Sequence, residues 1–197
     1  MFDPEVTVPL RRFASLMERL HMRCVVGGSV ASSLLGIPRQ TIDLDVVVEM
    51  EPEDIAAFVR EAGADFYVSE SAVRSAVLHR TGFNLVHAET AFKVDVYVSG
   101  DSEFDRLQFA RATEVAVPGA GLGDFHVASP EDVILRKLEW YRLGGKVSER
   151  QWHDVLGVLK VQAERLDLDY MTTWARSRDV EDLLRTALGE AGLGPPD

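Results

Sequence analysis

The sequence is short of basic residues, has a single cysteine, and contains no long apolar run. Lysine and arginine number 21 against 32 aspartates and glutamates, a formal net charge of −11. That balance argues against a general electrostatic grip on nucleic acid. It leaves open a local basic patch, or a small anion held through metal ions. No apolar stretch reaches the roughly 18–20 residues of a membrane span, so no membrane partner is expected. The opening MFDPEVTVPLRR lacks the basic-then-apolar layout of a signal peptide, and a cytoplasmic location is the expectation. Cys24 alone rules out an internal disulfide and a cysteine zinc cluster, and it is read as core. His79, His87, His126 and His153 lack the spacing of a zinc pair; His87 is read as packing or capping. There is no G-x(4)-G-K-[ST] loop, and PGAGLGD lacks the strand-then-helix context of a dinucleotide loop.

What is present is a regular alternation of elements. The spacing of Leu10, Phe13, Leu16, Met17 and Leu20 predicts a helix over 9–22, with Thr7 as its cap. A short strand over 23–26 and a short helix over 29–35 follow, the helix stopped by Gly36 and Pro38. A valine-rich strand over 44–49 leads to helices over 51–62 and 71–79. FNLVHAETAFKVDVYVSG reads as a hairpin of 83–88 and 92–98, followed by small strands over 114–117 and 125–127. From Ser129-Pro130-Glu131-Asp132, a good helix opening, the texture turns helical, with further helices over 148–164, 169–177 and 180–190. The expected fold class is α+β: a small mixed sheet with flanking helices over 1–128, then a C-terminal helical subdomain over 129–197.

The chemistry concentrates in three places. In VVGGSVASSLLGIPRQTIDLDVVVE, an apolar strand runs into Gly27-Gly28-Ser29, and a second strand opens with Asp43 and Asp45. One residue apart on a strand, those carboxylates share a face, with Cα atoms roughly 6.5–7 Å apart. That separation suits two hard cations spaced roughly 3.5–4 Å apart. In the strand FKVDVYV, Asp95 shares a face with Lys93 and Tyr97, opposite Phe92, Val94, Val96 and Val98. Were the two strands neighbours, Asp95 would converge on Asp43 and Asp45. A Gly-Gly turn before a helix offers backbone N–H groups to a phosphate, and Ser29 adds a hydroxyl or caps the helix. Each part alone has a plainer reading: a turn, an exposed edge pair, a satisfied polar group. Together and in this order they point to a metal–phosphate site.

The order GGS, then D-L-D, then FKVDVYV resembles the nucleotidyltransferase fold of the DNA polymerase β superfamily. RQTIDLD and FNLVHAETAFKVDVYV are similar to its stand-alone bacterial branch, which includes toxins of type IV abortive-infection systems. The resemblance covers residues 24–98 well and the helical tail loosely. It implies a transferase that moves a nucleoside monophosphate from a nucleoside triphosphate to an acceptor hydroxyl and releases pyrophosphate. It also implies two Mg²⁺ ions (or Mn²⁺) held by Asp43, Asp45 and Asp95, with Gly27, Gly28 and Ser29 on the triphosphate and, for the toxin branch, an antitoxin partner. SPEDVILRKLEW supplies Asp132 and Lys137 to that branch's D-x(4)-K helix. SERQWHDVL supplies Arg150 and Asp154 to its second helical motif, with Gln151 where the pattern has aspartate. Lys137 meets a phosphate or is a solvated lysine. Arg39 meets a phosphate or anchors its loop in an ion pair, and Thr41 orders the turn before the aspartates. Arg136, Lys137, Arg142, Lys146 and Arg150 form the best basic run, either a patch for a tRNA end or a solvated helix face. Trp140, Tyr141, Trp152 and Trp174 are read as helix packing or as base-stacking surfaces. The acceptor stays open between an RNA end, a small hydroxylated molecule and a protein side chain. The alternative function is a catalytically silent nucleotide-binding or regulatory protein on the same fold.

Overall fold

A computed structural model of the chain describes residues 4–41, 43–115 and 125–194. The far end of the strand expected over 114–117, the PGAGLGD loop and the end of the tail lie outside the described residues. The described residues form two compact units: one within Met1–Gly27 and Thr41–Val127, the other within Gly28–Gln40 and Ala128–Asp197. Residues 28–40, which the sequence reading keeps with the sheet, thus belong to the helical unit.

The first unit is built on a seven-stranded mixed sheet in the order β3-β4-β5-β2-β1-β7-β6. Its strands are β1 (Cys24–Val26), β2 (Asp43–Val48), β3 (Phe66–Tyr67), β4 (Gly82–His87), β5 (Lys93–Val98), β6 (Thr113–Val115) and β7 (Phe125–Val127). β2 and β5 are parallel neighbours; β1 pairs with β2, and β4 with β5, in antiparallel fashion. The period of two in both valine-rich strands buries Leu44, Val46, Val48, Val94, Val96 and Val98 on one face. The opposite face carries Asp43, Asp45, Lys93, Asp95 and Tyr97, all half-buried.

Helices α1 (Pro4–Leu20), α3 (Ile55–Ala62), α4 (Glu70–His79) and α5 (Glu103–Arg111) complete this unit. Leu10, Phe13, Leu16 and Met17, four of the five residues of the expected stripe, are buried. The helix nevertheless begins at Pro4, so Thr7 lies inside it rather than capping it, and Pro9 is also internal. A proline is well suited to the first helical position, whose N–H has no intrahelical partner. The first turn expected in the helix over 51–62 is 3-10, with Pro52 in its first positions. The β4–β5 hairpin is closed by His87, which is buried: its Nδ1 accepts from Thr90 N (3.3 Å) and lies 3.0 Å from Thr90 Oγ1. Two elements lack a counterpart in the sequence reading, β3 and α5.

The helical unit comprises α2 (Gly28–Leu35), α6 (Pro130–Leu143), α7 (Glu149–Gln162), α8 (Leu168–Ser177) and α9 (Glu181–Ala191). Helix α2 packs on α6 and α7. At its end, a Cβ on Gly36 would lie 2.7 Å from Val158 N and 2.9 Å from the Gly157 carbonyl carbon, so two backbones meet where no side chain fits. Gln162 reaches back to donate to Leu35 O (2.6 Å). Gly36→Ala is therefore expected to cost about 2 kcal/mol in denaturant unfolding. Gly189→Ala in α9, where a Cβ meets nothing within 4 Å, is expected to gain roughly 0.5–1 kcal/mol from helix propensity. The same unfolding series measures both.

Candidate active site

The aspartates converge through strand register. β2 and β5 run parallel with Asp45 directly opposite Asp95 and Asp43 opposite Lys93. Facing residues of adjacent strands are about 5 Å apart, so three carboxylates crowd one half-buried face. Like charges set opposite each other destabilise a sheet unless neutralised. The cation present is Lys93, whose Nζ is 2.7 Å from Asp95 Oδ2. The hydrogen bond to Asp95 raises the Lys93 pKa against the effect of burial, and the charges of Asp95, Asp43 and Asp45 add to it. Tyr97, next along the same face, has its phenol pushed up to about 12, by burial first and then by Asp45, Asp95 and Asp43. The charges of the three carboxylates add to both shifts as secondary causes.

Asn84 also belongs to this face. It stands opposite Asp95 on β4. With its amide oriented to satisfy both of its groups, the nitrogen donates to Phe83 O (3.3 Å) and Asp95 Oδ1 (2.5 Å). The two oxygens of Asp95 are thus both engaged, one by Asn84 and one by Lys93. Thr41 Oγ1 lies 3.0 Å from Asp43 O and 3.1 Å from Asp43 Oδ1, so it orders the approach to β2. Sequence reading missed Asn84. Its signal lay in the hairpin register, which pairs the third residue of one strand with the third of the other.

The donor chemistry of this face suits a hard divalent cation: oxygen ligands alone, with negative charge in excess. As folded, no group of three or more His, Cys, Asp or Glu side chains among the described residues is already arranged to hold a metal ion. Lys93 and Asn84 each engage one oxygen of Asp95.

The glycine turn divides between the units. Gly27 N donates to Asp45 O (2.9 Å), which extends the β1–β2 ladder to the turn, and a Cβ on Gly27 would meet nothing within 4 Å. Gly28 opens α2 at φ +54°, a left-handed conformation that favours glycine. Ser29 is buried in the first turn, and its carbonyl accepts from Ser32 Oγ (3.1 Å).

Arg39 and Lys137 meet on one carboxylate within the helical unit. Arg39 Nε donates to Asp154 Oδ1 (2.8 Å) and its Nη2 to Oδ2 (2.9 Å), while Lys137 Nζ donates to Oδ2 (2.7 Å). Lys137 is buried at 7% exposure, so the solvated-lysine alternative does not hold. For Arg39 the ion pair is present. Asp132 is fully buried and accepts from Ser129 Oγ (2.9 Å) and Tyr170 Oη (2.7 Å), a brace between helices. The basic run is largely neutralised from inside the unit. Arg136 pairs with Glu139 (3.3 Å), Lys137 with Asp154, Arg142 with Asp179 (3.6 Å) and Asp182, and Lys146 with Asp182 (3.5 Å). Tyr141 and Trp152 pack on each other with centroids 5.1 Å apart.

No protein-family model and no curated protein matches the sequence. Solved structures do. The antibiotic-resistance factor ANT(2'')-Ia superposes with a TM-score of 0.56 at 14% identity, over 90% of this chain and 94% of that one. The same factor in complex with adenylyl-2''-tobramycin gives 0.56 at 14% identity, over 89% and 99%. An antigenic nucleotidyltransferase-like protein from Paracoccidioides brasiliensis gives 0.55 at 17% identity, over 95% and 91%. The chain has the polymerase β-like nucleotidyltransferase fold.

The charge cluster in the helical unit sets a stability test. Burial alone would raise the Asp154 carboxyl, but the hydrogen bonds and charges of Arg39 and Lys137 outweigh it and hold the group below the usual carboxylate range. A folded pKa below the unfolded one stabilises above about pH 4, and that contribution is lost as pH falls through the folded value. Asp154→Ala is expected to cost about 3 kcal/mol at pH 7, because it strands two cations. Asp154→Asn is expected to flatten the decline in thermal stability below about pH 4; melts from pH 7 to pH 2 read both.

Proposed function

We propose that this protein is a divalent-metal-dependent nucleotidyltransferase, moving a nucleoside monophosphate from a nucleoside triphosphate to an acceptor hydroxyl and releasing pyrophosphate. The observation that carries this reading is the parallel register that sets Asp45 opposite Asp95 with Asp43 on the same face. On this proposal Asp43, Asp45 and Asp95 would hold two Mg²⁺ ions. Bound there, the ions supply neutralisation of phosphate charge and a lower pKa for the attacking hydroxyl. Gly28 and Ser29, at the start of α2, direct backbone N–H groups to the β- and γ-phosphates. Arg39 and Lys137 stay nucleotide-binding candidates of the helical unit, both already paired with Asp154.

Among acceptors, a small hydroxylated molecule is the reading with most support. The basic run is paired with the helical unit's own acids, which leaves little positive surface for a polynucleotide. ANT(2'')-Ia, which has this fold, was solved with an adenylylated antibiotic. A second reading, a nucleotide-binding protein without turnover, is favoured by the engagement of both Asp95 oxygens by Lys93 and Asn84.

Incubation with each α-³²P-labelled nucleoside triphosphate, Mg²⁺ and pools of hydroxylated small molecules, RNA or protein separates these readings. Label is expected in one pool, with release of pyrophosphate, and Asp43→Asn, Asp45→Asn and Asp95→Asn are each expected to lower it by about 10³-fold while remaining folded. Undiminished transfer in all three variants would sink the proposal. Nucleotide binding without transfer in any pool would favour the second reading. Gly27→Ala adds a Cβ to open space, so its melting is expected to match the parent. Its nucleotide affinity is expected to fall about tenfold, as read by calorimetry.

A further inference from the structure

The ammonium of Lys93 stands where a cation is wanted. It is two residues from Asp95 on the same strand, opposite Asp43 across the parallel ladder, and in contact with Asp95 Oδ2 at 2.7 Å. Its side chain is 45% exposed, so it has a path into water. Asn84 occupies the other oxygen of Asp95 as a neutral donor from β4. A neutral amide can remain beside a metal-bound carboxylate, whereas an ammonium at contact distance repels the incoming ion.

We infer that Lys93 is a tethered counter-ion that holds Asp95 in the metal-free protein, and that divalent-cation loading requires this ammonium to let go. The inference rests on the reading of the three aspartates as metal ligands. It assigns to Lys93 a positioning role: the residue keeps three crowded carboxylates compatible with the fold before loading, and it sets the concentration of cation at which loading occurs. Asp95 is the ligand under this control, because its Oδ2 is the atom Lys93 covers. Two cations competing for one oxygen make their occupancies mutually exclusive, and exchanging the ammonium for one divalent ion changes the local charge by one unit. The long lysine chain allows the exchange without movement of β5, whose alternate residues Val94 and Val96 are fully buried.

Two readouts test this, both independent of turnover. The first is Mn²⁺ binding, measured by the loss of free-ion paramagnetic resonance signal in the parent, Lys93→Met, Asp95→Asn and the double variant. Lys93→Met is expected to bind Mn²⁺ about tenfold more tightly than the parent, and most of that gain is expected to vanish in the Asp95→Asn background. An equal gain with and without the Asp95 carboxylate would reduce Lys93 to a distant charge and overturn the inference, as would no gain at all. The second readout leaves the sequence intact: the rate of Lys93 acetylation by an N-hydroxysuccinimide ester, followed by mass spectrometry, is expected to rise several-fold on Mn²⁺ saturation. Protection that persists at saturation overturns the inference while leaving the metal-ligand reading in place. Absence of Mn²⁺ binding in the parent and in Lys93→Met alike overturns both. Binding that appears only in Lys93→Met supports the inference in its strongest form.

Discussion

The parallel pairing of β2 with β5 is the constraint from which the chemistry of the sheet unit follows. Because side chains alternate along a strand, one choice of register decides two things together. It lays Leu44, Val46 and Val48 beside Val94, Val96 and Val98 in the core, and it lays Asp43 and Asp45 beside Lys93 and Asp95 on the other face. A slip of one residue would bury the carboxylates and expose the valines. The apolar face therefore stabilises the arrangement in which the acids are crowded. Hydrophobic burial, at roughly 25 cal/mol per Å², holds like charges closer together than they would settle alone.

The helical unit solves a related problem differently. There the crowded charges are of opposite sign and largely buried, and Asp154 serves two cations at once, with Arg39 contributed from across 115 residues of sequence. A bidentate guanidinium and an ammonium on one carboxylate leave little freedom to any of the three groups. In the sheet unit the corresponding lysine, Lys93, is half-exposed and its partner is a single oxygen, so the pair is the looser of the two.

Much of this was legible in the residues. The alternation in DLDVVV and KVDVYV fixes which side chains share a face, and GGS before a short helix marks the turn. Neighbourhood of the two strands was not legible, since parallel pairing follows from the crossover through α3 and α4 rather than from either segment. Helix α5 escaped because its buried residues, Phe104, Gln108 and Phe109, make a poor apolar stripe, although the capping pair Ser102 and Asp105 announces its start. β3 has two residues and exists through its pairing with β4. The start of α1 was misplaced because Pro4 and Pro9 are both suited to a first turn. The partners of Arg39 and Lys137 lay beyond any local pattern. The motif placing Asp154 near the end of the chain named the residue but not what it holds.

The membership of α2 in the helical unit bears on how the chain comes to be folded. The helix is synthesised early, yet the surfaces it packs on, α6 and α7, emerge only after all of residues 41–127. At synthesis rates of about 5–20 residues per second, Val30 and Ala31, both buried in the finished protein, wait several seconds for their partners. During that interval a short apolar helix hangs from a sheet that is still acquiring its strands. Neither unit is a continuous stretch of polypeptide, so a nascent chain released before residue 128 carries an orphaned helix rather than a finished domain. The bonds from Leu35 to Gln162 and from Arg39 to Asp154 close loops of 127 and 115 residues, and long loops of this kind carry a closure entropy that local contacts do not.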